Sequence, residues 1–119
     1  MSMNDFNEFP WIEPWVPVSD RGRDAYENEL QMEIGLDHPL YGVKVRAVAR
    51  TCHTDDVLFY LKDHRIANYA VVHLTFRGRL ETDPQWPSVV LYRDLEHWVT
   101  QRMLRDAAGY EIDQSNQAA

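Results

Sequence analysis

The chain has 119 residues, of which 45% are apolar and 26% are charged, a formal net charge of −7 and one cysteine. This size and composition indicate a single globular domain whose core needs neither a disulfide nor a metal ion, and the single Cys52 excludes an internal disulfide. No segment approaches the roughly 20 apolar residues of a membrane span, and the acidic N-terminus is unlike a secretion signal. We therefore expect a cytoplasmic protein without a membrane partner.

The negative charge is concentrated near the N-terminus. Residues 1–40 carry nine acidic and two basic side chains, whereas residues 41–110 have a net charge of +2. Such an asymmetry steers a basic partner toward the acidic segment, or it simply keeps a solvated helix soluble.

Residues 1–18 form a proline-rich and aromatic N-terminal arm. Pro10, Pro14 and Pro17 are incompatible with a regular helix and disfavour a central strand. Because the arm also carries Trp11 and Trp15, we expect it to pack against the domain or against a partner.

A first helix is predicted to run from the cap residues Ser19 or Asp20 to Ile34. Gly35 is expected to end it in a left-handed conformation. The opposite side of this helix is acidic. Its apolar stripe consists of Tyr26, Leu30 and Ile34.

Four strands and a second helix follow. Alternation and turn residues predict strands at 43–50, 57–62, 69–76 and 88–92. In the first of these strands Val43, Val45, Ala47 and Ala49 are predicted to share one face. Asp94 is expected to cap a helix that ends near Ala108, before Gly109. The buried stripe of this second helix consists of Leu95, Trp98, Val99 and Met103.

These elements predict an α+β fold of two layers in the order α-β-β-β-β-α. An antiparallel sheet of three to four strands is flanked by the N-terminal and the C-terminal helix, both on one face. The domain spans residues 19–110, and residues 111–119 form a flexible tail.

His73 lies within the most apolar run of the chain. In an extended strand it shares the outer face with Tyr69, and Tyr60 occupies the same face of the neighbouring strand. A face of this mixed character suits recognition of another surface. Two alternatives remain open: a histidine that only bonds a neighbouring strand, and a small hydrolase or transferase centred on His73, which needs an orienting partner for the ring.

Trp86 stands in the loop DPQWP between Pro84 and Pro87. A rigid proline loop costs little entropy to order, so Trp86 is a candidate anchor in an interface. The alternative is an indole that packs over the end of the sheet. Glu81 and Asp83 are expected to be turn residues, with Asp83 bonding its own backbone.

Motifs for metal or nucleotide chemistry are missing from the sequence. There is no zinc-ligand spacing and no glycine-rich phosphate loop, so we expect no metal and no cofactor. A basic stripe of Lys44, Arg46 and Arg50 beside Tyr60 or Tyr69 resembles a platform for single-stranded nucleic acid, but the net charge of −7 disfavours nucleic acid as a partner.

The segments LDHPLYG, DDVLF, VVHLTF, DPQWP and DLEHWV occur in this order between residues 27 and 105. With this spacing the chain resembles a group of small bacterial proteins without assigned function. The resemblance implies a bacterial, cytoplasmic origin and no particular chemistry.

The sequence therefore predicts a small protein-interaction or regulatory module rather than an enzyme. Its partner is expected to be another protein or a second copy of the chain. The specific hypothesis is that the chain is an immunity-type inhibitor that binds a basic toxin. The candidate binding residues are Trp86, His73, Tyr69, Tyr60, Arg46, Glu29 and Glu33.

Overall fold

The computed structural model describes residues 9–118, with side chains up to Glu111. The chain forms a five-stranded antiparallel sheet in the order β1-β2-β3-β4-β5, so every strand pairs with its neighbour in sequence. The strands are β1 (Trp15–Pro17), β2 (Lys44–Thr51), β3 (Asp56–Lys62), β4 (Tyr69–His73) and β5 (Ser88–Tyr92). The predicted α+β class and antiparallel pairing are confirmed, and the sheet has one strand more than predicted.

The unpredicted strand is β1, which belongs to the N-terminal arm. Val16 pairs with Arg50 of β2, and Trp15 is completely buried. Pro17 fits here because an edge strand does not need every backbone N–H. The described part of the arm thus packs on its own domain, whereas residues 1–8 of the arm lie outside the described residues.

Helix α1 (Asp20–Glu33) connects β1 to β2. The hydroxyl of Ser19 accepts the Gly22 N–H at 3.0 Å, as expected for the N-cap. The predicted left-handed stop at Gly35 is wrong, since Ile34 already leaves the helix in an extended conformation and positive φ occurs at Gly42 and Gly78 instead.

Strand β2 contains an irregularity that the alternation in its sequence does not reveal. Ala47 pairs with Phe59 and Ala49 with Leu58, so the register shifts by one residue between them. Such a bulge moves the following residues to the other face of the sheet. Ala47 therefore packs on the α1 side and Ala49 on the opposite side, in contrast to the single face predicted for both.

The helices pack on opposite faces of the sheet, and the predicted two-layer arrangement is wrong. One core lies between α1 and the sheet and includes Leu30, Phe59 and Val72. A second core, on the other face, includes Trp15 and Trp98. The strands supply both cores because alternate residues of β3 and β4 are buried on both sides.

The C-terminal helical region covers the second face. It consists of α2 (Leu95–Trp98), a π-helical segment (Val99–Met103) and α3 (Leu104–Ala118). Asp94 caps it by accepting the His97 N–H at 2.8 Å, and the four predicted apolar residues pack into the second core. The backbone stays helical through Gly109, because an exposed helix tolerates one glycine at a modest energetic cost.

None of the helices in the described part of the chain is both long and apolar enough to span a bilayer.

Candidate functional site

His73 ends strand β4, opposite Asp56, the first residue of β3. Its Nδ1 atom lies 2.8 Å from Oδ1 of Asp56. A carboxylate only accepts hydrogen bonds, so Nδ1 carries the proton and donates it, which fixes the ring orientation. Nε2 makes no hydrogen bond to any described residue and remains available to a ligand.

Asp56 connects His73 to the C-terminal helical region. Its second oxygen, Oδ2, lies 2.9 Å from Nη2 of Arg102, and Nε of Arg102 donates to Asp106 at 2.7 Å. The indole N–H of Trp15 donates to the same Asp106 oxygen at 2.8 Å. Burial alone would lower the pKa of Arg102, but Asp106 and Asp56 outweigh it and raise this pKa. His73 is therefore held by a network of paired charges.

A cavity of about 320 Å³ opens beside His73. This volume lies near the lower end of the range for small-ligand sites. Its lining residues come from the β2–β3 turn, the end of β4 and the loop before β5: Asp55, His73, Leu74, Thr75, Arg77, Glu81 and Trp86.

Trp86 forms an apolar part of the cavity wall. The backbone N–H of Trp86 bonds the carbonyl of Asp83 at 2.9 Å, and the Asp83 carboxylate accepts the Gln85 N–H at 2.9 Å, as predicted for a turn residue. Trp86 as a whole residue remains 46% exposed. Trp86 thus does not close the core, and its ring is accessible to a ligand.

The loop between β4 and β5 is held in place by carboxylates of α1. The two oxygens of Glu33 accept the N–H groups of Thr75 at 2.9 Å and Phe76 at 3.0 Å. Glu29 accepts the Gly78 N–H at 3.2 Å. The positive φ angles of Phe76 and Gly78 turn the chain sharply here, and the carboxylates satisfy the backbone donors that this turn exposes.

Glu33 is completely buried, and this burial, together with a hydrogen bond to Glu29, raises its pKa from the ordinary 4.5 to about 7. The backbone donors of Thr75 and Phe76 act in the opposite direction. The carboxyl group of Glu33 therefore titrates near neutral pH, and it holds the loop beside the cavity in place.

The charged side chains of the cavity lining are two acidic residues, Asp55 and Glu81, and one basic residue, Arg77. Asp55 is exposed, and Glu81 accepts the hydroxyl of Thr75 at 2.8 Å while Arg77 stands 3.8 Å from its other oxygen. Carboxylates that line the same cavity as an exposed indole can attract a guanidinium or ammonium ion. The cavity therefore suits a positively charged group.

The candidate binding residues lie in different surroundings. Trp86 and His73 share the cavity wall. Tyr69 is only 4% exposed, packs against Tyr60 with ring centroids 5.5 Å apart, and has a pKa raised to about 12, chiefly by burial. The prediction that Tyr69 lies on an exposed outer face is wrong because the C-terminal helical region covers that face.

Glu29 and Glu33, the two candidate binding residues of α1, do not lie on a solvated face as predicted. Glu33 is buried, and Glu29 is half-buried against Gly78, so both bind the chain's own backbone. The predicted basic stripe is interrupted as well. Arg46 is exposed, 4.0 Å from Glu27, whereas the bulge turns Arg50 to the other face.

Asp56, Arg102 and Glu81 were not identified as site residues from the sequence. A partial signal existed for Asp56, because a polar residue that begins a strand often bonds across to its neighbour. Glu33 also had a signal, since it stands three positions after Leu30 on the apolar stripe of α1, where a carboxyl group needs a buried partner.

Among the described side chains, those of residues 9–111, no group of three His, Cys, Asp or Glu residues is arranged to hold a metal ion. Comparison of the chain with protein-family models, curated proteins and solved structures finds no match. The resemblance to small bacterial proteins stays a prediction.

Proposed function

We propose that this chain is a protein-recognition module that binds a basic side chain of a partner protein in the cavity beside His73. The observation that carries the proposal is the position of the exposed Trp86 in one wall of a cavity that also contains Asp55 and Glu81. An aromatic face attracts a cation by its quadrupole, and the carboxylates add charge-assisted hydrogen bonds.

The rigidity of the cavity supports recognition. His73 is fixed by Asp56, Thr75 by Glu33 and Glu81, and the Trp86 loop by the Asp83 turn. Groups that are already ordered lose little entropy when a ligand binds, so more of the contact energy contributes to affinity.

The charge of the whole chain fits the same partner. A net charge of −7 favours encounter with a basic protein and makes the association rate depend on salt. A basic toxin bound by an immunity-type inhibitor remains the concrete form of this proposal, and it rests on size and charge.

The test is a capture experiment from the native lysate at low and moderate salt, with identification of bound proteins by mass spectrometry. The wild-type chain is expected to retain a basic protein that Trp86→Ala does not retain. Leu36→Ala, which removes another exposed apolar side chain outside the cavity lining, is the matched control and should retain it. Equal retention by wild type and Trp86→Ala would contradict the proposal.

A second candidate function is acid–base catalysis at His73, and the orientation of its ring by Asp56 favours it. An oriented imidazole with a free Nε2 is the arrangement that proton transfer requires. Conversion of ester and phosphoester substrates would be lost in both His73→Ala and Asp56→Asn while Cys52→Ala keeps it. Turnover that survives His73→Ala would exclude this function.

A further inference from the structure

The outer edge of β5 is open, and the hydrogen-bonding pattern of the sheet defines which of its groups are free. Just after β4, Leu74 donates to the carbonyl of Asp55, so the even-numbered residues of β4 direct their backbone groups to β3. Asn68, just before β4, is irregular, because its carbonyl accepts the Leu61 N–H whereas its own N–H donates to the carbonyl of Arg93 beyond β5. Because neighbouring residues of a strand alternate in direction, the odd-numbered residues of β4 face β5. Val71 therefore exchanges bonds with Val90, its partner in the register.

It follows that Val89 and Leu91 direct their N–H and C=O groups away from the sheet. No described residue bonds to these four groups. The backbone groups of the flanking residues, Pro87 and Arg93, are not available for pairing. His38 lies 2.8 Å from the carbonyl of Pro87, a residue that has no N–H, and the His97 ring accepts the Arg93 N–H at 3.1 Å.

The open edge carries none of the usual protection against pairing. Residues 88–92 contain no charge and no proline, and Val90 is 52% exposed. Sheet edges that stay single are usually short, charged, bulged or interrupted by proline. The opposite edge, β1, has three residues and ends in Pro17. The two edges thus differ, and only β5 has the properties of an edge that is paired.

We propose that two copies of this chain join through β5 in an antiparallel pair, with Val90 opposite Val90 of the second copy. In this register Val89 of each copy lies opposite Leu91 of the other, and all four outward-facing groups of each strand find partners. Shifting the register by one pair would place Pro87 or Arg93 in the ladder, and their groups are missing or already bonded. The closed flanks therefore select one register.

The side chains are compatible with this pairing. Val71, the register partner of Val90, packs in the second core, so Val90 lies on the face covered by the C-terminal helical region, whereas Val89 and Leu91 lie on the α1 face. Two-fold pairing sets apolar against apolar residues on both faces, and such cross-strand pairs stabilise a sheet. It joins two five-stranded sheets into one sheet of ten strands.

The test is the mass in solution, measured by sedimentation equilibrium over a concentration series. The wild type is expected to be a dimer, and Val90→Lys a monomer, because two lysines would meet across the two-fold axis. Ile66→Lys introduces the same charge at a residue that is 76% exposed in the β3–β4 connection and should leave the dimer intact. Circular dichroism checks that each variant is folded.

A mixture of variants tests the register itself. Val90→Lys and Val90→Glu should each be monomeric alone and should form a heterodimer when mixed in equal amounts, because position 90 lies opposite itself. A monomeric wild type at the concentrations used for NMR, or a Val90→Lys variant that remains dimeric, would overturn the proposed interface. A mixture that stays monomeric while the wild type is dimeric would overturn the register.

Discussion

The backbone N–H of Thr75 donates a 2.9 Å hydrogen bond to the buried carboxyl group of Glu33, which joins α1 to the loop that lines the cavity. The same carboxyl group accepts the N–H of Phe76. The position of the cavity wall therefore depends on one titratable group.

The protein should lose stability as the pH rises from about 4.5 to about 7, the interval over which the pKa of Glu33 is raised by folding. A raised pKa means that the folded state binds the proton more tightly, so the contribution of this group is complete below the lower value and is lost as pH rises through the upper one. We expect a decrease of about 1–3 kcal/mol in the free energy of unfolding.

Urea unfolding at several pH values measures this decrease. Glu33→Gln is neutral throughout the interval, so its pH profile should be flatter than that of the wild type. Exposed Glu96→Gln is the control and should keep the wild-type slope. Parallel profiles for wild type and Glu33→Gln would show that Glu33 does not titrate in this range.

Asp56→Asn should destabilise the fold by about 1–3 kcal/mol, since the carboxylate bonds both His73 and Arg102. The neighbouring exposed residue Asp55 offers a control. The free energy of unfolding of Asp55→Asn should stay within about 0.5 kcal/mol of the wild-type value. Chemical denaturation measures both variants. Equal losses would mean that the Asp56 network contributes no stability of its own.

The two tryptophans Trp15 and Trp86 should respond differently to the same substitution. Trp15 is completely buried, with its ring centroid 5.1 Å from that of Trp98, so Trp15→Ala should cost about 3–5 kcal/mol. Trp86 is 46% exposed, and Trp86→Ala should cost less than about 1 kcal/mol. Thermal unfolding compares them, and a large loss for Trp86→Ala would assign the indole a structural role.

Two glycine substitutions should have opposite signs. Gly109 lies within α3 with open space around its Cα, so Gly109→Ala should stabilise the protein by about 0.5–1 kcal/mol. Gly78 has a φ of +65°, and Gly78→Ala should destabilise by about 1 kcal/mol. The midpoints of urea unfolding measure both effects, and a stabilising Gly78→Ala would contradict the assigned backbone conformation.

The elements with clear periodicity were predictable from the sequence. The segment 88–92 coincides with β5, and the Ser19 and Asp94 caps are both present. Their signals are local, since a cap or an alternating strand is defined by residues close in sequence.

The features that depend on distant contacts were not predictable in the same way. Strand β1 has three residues and exists because Trp15 is buried against Trp98, which is far away in the sequence. The bulge after Ala47 needs no unusual residue, so alternation alone placed Ala49 on the wrong face. The same strands contribute residues to both cores. Alternation predicted one buried face and one outer face, whereas apolar residues of these strands are buried on both faces.

The candidate site also combines residues that local sequence signals identified with residues that only distant contacts bring into place. In the sequence, Trp86 stood out as a tryptophan between two prolines and His73 as a histidine in an apolar run, and both line the cavity. The partner that orients His73 is a residue 17 positions away, and only the pairing of β3 with β4 brings the two together. Tyr69 was misassigned because the helix that buries it is remote in sequence.

Recognition of a basic side chain in the cavity is tested most directly by an NMR titration of the ¹⁵N-labelled chain with N-acetyl-arginine N-methylamide and, separately, with the uncharged citrulline analogue of the same shape. The arginine compound should shift the resonances of His73, Glu81 and the Trp86 indole, whereas the citrulline compound should not. Trp86→Ala should abolish the shifts. Equal shifts with both compounds, or shifts confined to residues outside the cavity, would contradict recognition of a basic side chain at this site.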